Sequence, residues 1–457
     1  MGTIRLVSTM PPRSHLPAAL ITTRFLVRPT TAMQALQREL GDTFMFNLAG
    51  VSPTVMVSHP DDVKTVFTAP HEDMPTVSSS SSLGLLLGPD SVLILNGPKH
   101  LRERRLISPS FRGERLRPWG PLIDDLTHSQ IDRWQPGQEI TLQEEMQAIT
   151  FDTILAIVFG MKDAARQDAL REVVVDLTKR ATSGPRSMLD LVLAARGRLA
   201  GPMERLRKAM DEVVYAEIAD HRGHSDLESR SDMMSMLMVA RDEDGSAMTD
   251  QELRDELVTL LLVGHETTAT SLAWGAERLL RTPDALQRLK HELAEGEDGG
   301  AAYVDATVNE ILRDRPVVPL IGRELRAPLT LGGYEIPAGQ TVNVNIWLAN
   351  HRADTYPEPF RFHPDRVLGK RPETYGWSPF GGGIRRCLGA SFAEMEMRHV
   401  IRALYSRVEM SLPDPSPERP VLRAVTLAPQ HGARVRIEAI KERPEPVVEA
   451  AEPAAAA

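Results

Sequence analysis

Cysteine is nearly missing from this chain: Cys387 is the single one among 457 residues. That excludes an intrachain disulfide and leaves no thiol cluster for an iron–sulfur centre. A lone thiol suits a reducing cytoplasm, the expected location. Long apolar runs are also missing. The best stretch, residues 16–27, contains Arg24 and is about a dozen residues long, whereas a spanning helix needs roughly 20 apolar residues. No apolar run ends in a small-residue cleavage site, so a signal peptide is not expected. Peripheral membrane contact through the N-terminus stays open. There is no basic excess: 53 Lys and Arg stand against 62 Asp and Glu, a net charge of −9. That argues against general nucleic-acid binding, which needs a basic face. The plainest reading of the acidity is solubility. Aromatics are sparse at 5%, but the hydrophobic 42% and charged 25% are those of a globular protein, so disorder, collagen and repeat arrays do not fit.

What is present is mostly helical pattern. Residues 30–40 end at Gly41 as a helix. Residues 44–48 and 54–57 predict a hairpin, and residues 60–67, with Asp61 and Asp62 in the first turn, a short helix. Residues 70–97 carry the serine run Ser78 to Ser82, then apolar residues and Gly88-Pro89, and predict a mobile loop. Helical periodicity dominates from Pro98 to about Leu293, and its longest stretch is 253–280. After Pro316 short strands are expected at 329–331, 334–336 and 341–346, with Gly332-Gly333 as a turn. Residues 351–379 predict little regular structure, and 390–405 a further helix. Residues 1–29 read as an irregular segment and 441–457 as a disordered tail. Length alone suggests two or three domains.

The chemistry centres on the one thiol. The segment reads Phe380-Gly381-Gly382-Gly383-Ile384-Arg385-Arg386-Cys387-Leu388-Gly389. Three glycines permit tight backbone and close approach of a flat ligand. Cys387 precedes a predicted helix, whose N-terminus and the neighbouring Arg385 and Arg386 favour a thiolate. An isolated cysteine is usually an inert buried residue, but these surroundings reverse that reading. The decapeptide resembles the cysteine-ligand loop of the cytochrome P450 family, with Phe380, Gly381, Gly383, Arg385, Cys387 and Gly389 in matching positions. The resemblance implies that Cys387 ligates the iron of heme b (iron protoporphyrin IX), its thiolate favouring O–O cleavage.

Three further segments match that family in the same order. In Glu310-Ile311-Leu312-Arg313 the two charges are three apart and share a helix face. Alone, such a pair is a surface salt bridge; the resemblance implies a buried structural triad completed by Arg366. In Val263-Gly264-His265-Glu266-Thr267-Thr268, mid-helix threonines can bond back to the preceding turn, and Gly264 leaves room above a flat cofactor. The plain alternative is an irregular amphipathic helix. The resemblance implies that Thr267 holds the reduced dioxygen ligand and water while Glu266 supplies protons. Val263 departs from the small residue usual there. In the segment from Asn96 to Arg105, His100 and Arg104 are four apart on one helix face. The family places a similar His and Arg there against the heme propionates, with Arg323 and Arg385 as the other partners.

The resemblance covers residues 30–435 and so implies one large domain, 30–440, mainly α with a smaller β region. It implies a monooxygenase acting on an apolar small molecule (a lipid, terpenoid, steroid or polyketide) with O2. Its pocket would include Leu86, Leu262, Val263, Val318 and Leu320, with walls from 75–95, 180–200, 260–267, 317–321 and 425–427. No fused reductase fits in the chain, so electrons would come from a separate ferredoxin or flavodoxin with its reductase. Lys99, Arg102, Arg105, Arg112, Arg115 and Arg117, with Arg386, are a candidate docking face; the bland reading is a solvated charged segment. A monomer is the default. The competing readings are a peroxide-driven peroxygenase or isomerase on the same scaffold, and a non-catalytic heme ligand-binding protein. The pairing of Glu266 with Thr267 speaks against both.

Overall fold

The chain enters with two helices, α1 (Ala18–Val27) and α2 (Pro29–Leu40), the second opening on Pro29 in its first turn and closing at Gly41. The structure is a computed structural model that describes residues 10–70, 72, 74–75, 82–161, 163–181, 201–295, 300–370 and 372–443. Strands β1 (Thr43–Phe46) and β2 (Thr54–Val57) pair antiparallel, and α3 (Pro60–Thr68) follows, with His59 accepting from the Asp61 amide. Next come α4 (Ser82–Leu87), α5 (Gly97–Ile107) and α6 (Gly120–Ile131). Strand β3 (Glu139–Thr141) leads into α7 (Leu142–Ile157), and α8 (Ala164–Ala181), α9 (Gly201–Arg222) and α10 (Met233–Val239) precede the longest helix, α11 (Asp250–Leu280). The start of α11 is fixed by a capping box: Thr249 accepts from the Glu252 amide, and Glu252 accepts from the Thr249 amide at 2.8 Å.

Helices α12 (Pro283–Glu295) and α13 (Ala301–Asp314) lead to the β-rich part. It holds β4 (Leu320–Glu324), β5 (Leu329–Leu331), β6 (Tyr334–Ile336) and β7 (Thr341–Asn345), then α14 (Ile346–Asn350). An extended meander with 3-10 turns at Pro364–Arg366 and Gly383–Arg385 reaches α15 (Ala390–Arg407). The chain closes with β8 (Val408–Ser411), β9 (Pro420–Arg423), β10 (Thr426–Pro429) and β11 (Arg434–Ile440).

The main sheet runs β1-β2-β7-β4, with β2 and β7 parallel and the rest antiparallel. A second sheet runs β3-β11-β8, and β5-β6 and β9-β10 are hairpins. Most residues of α11 are buried, as expected of a helix sheathed by others. It packs along α7 and against α9, α13 and α15 in the largest apolar cluster, while two smaller clusters line the main sheet and its N-terminal helices.

The architecture is the mainly α fold with a smaller β region that the sequence implies. Three expectations need correction. The irregular segment expected through residue 29 contains α1, whose Ile21 and Phe25 anchor it on β1 through an edge-to-face contact of Phe25 with Phe46 at 5.2 Å. The loop expected over 70–97 contains the short helix α4. Strand β7 stops at Asn345, because the Asn345 carboxamide accepts from the Leu348 amide and starts a helix at Ile346. The tail expected from 441 lies, beyond Arg443, outside the described residues.

Candidate functional site

The cysteine loop is wedged against the end of α3. Gly381 and Gly383 have φ of +67° and +62°, and a Cβ on Gly383 would stand 1.8 Å from the Phe67 carbonyl oxygen. Only glycine fits there. The Cys387 amide donates to the Phe380 carbonyl at 2.9 Å, closing the loop before α15 begins at Ala390. Cys387 is exposed by area, although protein stands close around it. Burial pushes the thiol above its ordinary value, while the Gly389 amide, Arg386 and Arg104 pull it down. The pulls expected from the helix terminus and the arginines are both present, opposed by burial. A negative sulfur here needs a bound cation beside it.

Cations gather near the thiol, with Arg323 buried and Arg104 and Arg385 half-buried. Arg323 and Arg385 are both pulled down to about 10 by burial, Arg385 additionally by Arg323 and Arg104. Neither has an acidic partner among the described residues. Arg323 donates to the Gly322 carbonyl, and Arg385 to Asn96 Oδ1 at 2.7 Å and the Leu95 carbonyl. Arg104 donates to the Arg386 carbonyl at 2.6 Å, and burial lowers its pKa too. His100, one turn earlier on α5, is buried. Buried guanidiniums call for anions. An iron porphyrin with two propionates supplies both missing charges, a cation for the thiol and anions for the arginines, so the residues fit heme b.

Within buried α11 one stripe is only half-buried: Leu260, Val263, Gly264 and Thr267, spaced for one helix face. The Thr267 hydroxyl donates to the Val263 carbonyl at 2.8 Å, which leaves its lone pairs free to accept. Gln147 of α7 donates to one carboxylate oxygen of Glu266. A Cβ on Gly264 would lie 3.0 Å from Ile154 of α7, so its missing side chain also makes room for a helix neighbour.

The expected triad is assembled and buried. Arg313 grips Glu310 with two bonds of 2.7 and 2.8 Å, and Arg366 reaches the same carboxylate at 3.2 Å. The His363 amide donates to Glu310 at 2.8 Å, while Arg313 and Arg366 also hold the carbonyls of Pro359 and Pro357. One carboxylate thus organises the meander that leads to the cysteine loop.

The pocket residues separate. Leu262, Val263 and Val318 are half-buried, and Leu86 is buried under α11. Leu320 instead packs on the N-terminal cluster around Phe25. On β4 alternate residues share a face, so Ile321 and Arg323 face the cysteine loop, where Ile321 lies 3.1 Å from the Cβ position of Gly381. Ile321 was legible from the same alternation that makes β4 a strand. Of the expected 425–427 wall, Val425 is 66% exposed while Thr426 and Leu427 are buried. The 182–200 part of the expected wall lies outside the described residues. Sequence reasoning also missed Glu396 of α15, fully buried beside Thr153 and Thr268 with hydrogen-bond geometry to neither, and pushed up to about 8 by that burial.

Much of the expected docking face is spent internally. Lys99 pairs with Asp90, Arg102 with Glu103, Asp242 and Glu252, Arg105 with Glu243, and Arg117 with Glu114. Arg112, Arg115 and Arg386 remain exposed without an ion pair among the described residues.

Comparison with known proteins agrees with this geometry. A family model described as cytochrome P450 matches residues 12–435. The chain is 39% identical over 439 residues to cytochrome P450 135B1 of Mycobacterium tuberculosis, covering 95% of this chain and 92% of the relative. It is 35% identical over 423 residues to cytochrome P450 137 of the same organism, covering 92% and 88%. A solved retinoic acid-bound cyanobacterial P450, CYP120A1, superposes with a TM-score of 0.79 at 24% identity, covering 94% of this chain and 99% of that one, a likeness of fold.

Proposed function

This chain belongs to the cytochrome P450 family of heme monooxygenases, and we propose that it inserts one oxygen atom from O2 into an apolar lipid, terpenoid, steroid or polyketide, by hydroxylation or epoxidation, with electrons from a separate ferredoxin or flavodoxin. The observation that supports this reading is one thiol electrostatically coupled to Arg104 and Arg386, with Arg323 and Arg385 close by and without an acidic partner among the described residues. Cys387 would ligate the iron, and Arg104, Arg323 and Arg385, with His100, would hold the propionates. When bound, heme supplies the iron at which O2 is reduced and split.

The chain's own residues then have three tasks. Half-buried Leu262, Val263 and Val318 exclude water and orient an apolar substrate. The overall balance consumes substrate, O2, two electrons and two protons and releases hydroxylated product and water, so protons must reach a dry site. Glu266, steadied by Gln147, takes protons from solvent. The Thr267 hydroxyl, its own proton committed to the Val263 carbonyl, accepts a hydrogen bond from the water that carries them. The Glu310 triad keeps the cysteine loop in register.

A spectral titration of the purified heme protein with lipids, terpenoids, steroids and macrolides, followed by turnover of the hits with a surrogate reductase, tests the proposal. We expect oxygenated product with reductase and O2 and little with peroxide alone. Equal turnover with peroxide alone would favour a peroxygenase, and binding without product a ligand-binding heme protein.

A further inference from the structure

Consecutive side chains at the start of α11 read the backbone of residues 86–92 atom by atom. Arg254 donates to the carbonyls of Leu87 at 2.6 Å and Leu86 at 3.2 Å. Asp255 accepts from the Asp90 amide at 2.9 Å, and Glu256 from the Val92 amide at 2.6 Å. The Thr259 hydroxyl meets that of Ser91 at 2.6 Å. Gly88 is in the left-handed region with φ of +103°, and a Cβ there would collide with the Asp255 carboxylate. This segment therefore has no independent seat; α11 positions it.

Arg254 does something more. The same guanidinium is bound on its other edge by Asp211 of α9, with Nε on Oδ1 at 2.7 Å and Nη2 on the same oxygen. It is 3% exposed and also meets Asp255 at 2.9 Å. A second, weaker strand runs alongside: Tyr215 of α9 donates to Gln251, and Gln251 to Asp255. The last carbonyls of α4 and the middle of α9 are thus joined through one buried fork. The planar guanidinium is suited to this, because it presents separate donor edges in fixed geometry. Arg254 lies nine residues before Val263, about 13.5 Å along the helix, so both partners sit upstream of the site face.

We propose that Arg254 is a positioning residue for the substrate pocket: it locks Leu86 and the 86–92 segment to α9, so that this wall moves with α9 rather than independently. The coupling stands on contacts alone; its consequence for substrate rests on the pocket reading under Proposed function.

A hydrogen-exchange cycle on the heme protein tests the coupling. Asp211→Ala removes a side chain that does not touch residues 86–92. It is expected to speed exchange of the amides in that segment about tenfold, through loss of the charge-assisted bonds from Arg254 Nε and Nη2, and to add nothing in an Arg254→Met background. Arg254→Lys, which keeps charge and loses the fork, is expected to fall between and replaces the methionine variant should that one fail to fold. Unchanged exchange in Asp211→Ala, or additive effects in the double variant, overturns the proposal. Ligands that bind the wild type should bind Arg254→Met about tenfold more weakly with kcat near wild type; unchanged affinity overturns the role in the pocket. A wild type that binds no apolar ligand sinks the pocket reading instead, and leaves the exchange cycle to decide the coupling.

Discussion

A carboxyl group with no exposed surface must find a cation or keep its proton. Glu310 takes the first course between Arg313 and Arg366. Glu396 takes the second: burial pushes it up to about 8, against 4.5 for an ordinary glutamate. Between those values the folded chain retains a proton that the unfolded chain has released. The stability this group contributes is therefore greatest at acid pH, declines as pH rises from about 4.5 to about 8, and is flat above that. Glu396→Gln should abolish that decline. Melting temperatures taken from pH 5 to 8 should separate progressively, the variant gaining on the wild type as pH rises; parallel curves would contradict the assignment. The two glutamates also differ in legibility. Glu310 sits three residues from Arg313 and inside a motif, so its burial was readable. Glu396 reads as one more charge on the amphipathic helix of 390–405, because nothing local reveals that α7 and α11 close over it.

At the scale of elements, the loop glycines matter through their partner. Gly383 opposes the Phe67 carbonyl, and a Cβ on Gly382 would stand 2.5 Å from the Phe67 ring, so α3 forms the back wall of the cysteine loop. Gly383→Ala forces a side chain into the left-handed region, costing about 1–3 kcal/mol before any clash, and pushes the loop off α3. We expect a lower melting temperature and a reduced ratio of heme to protein absorbance; wild-type values for both would contradict this packing. The need for a tight loop was legible in three successive glycines, whereas the identity of α3 as its partner was not, since more than 300 residues separate them. The same limit applies to β3, β8 and β11, whose pairing joins residues 139–141 to 434–440. Helices fared better, because α11 carries its own capping box and α13 its own periodicity.

Over the whole molecule the net charge of −9 conceals local order. Sequence shows a basic run from Lys99 to Arg117 but cannot show which acids return to it; in the fold Asp90, Asp242 and Glu243 neutralise much of it. What remains exposed and without an ion pair among the described residues is Arg112, Arg115 and Arg386, the last in the cysteine loop. If an acidic electron carrier docks there, the double reversal Arg112→Glu with Arg115→Glu should slow reduction of the heme and flatten its dependence on salt, leaving substrate affinity intact. Reduction rates that keep their wild-type salt dependence would remove that face from the account. The central claim is the bond between sulfur and iron. The most direct measurement is the spectrum of the reduced protein under carbon monoxide. The account predicts the Soret band of a thiolate-ligated heme, lost in Cys387→Ser; a wild type without that band, or a serine variant that keeps it, would contradict it.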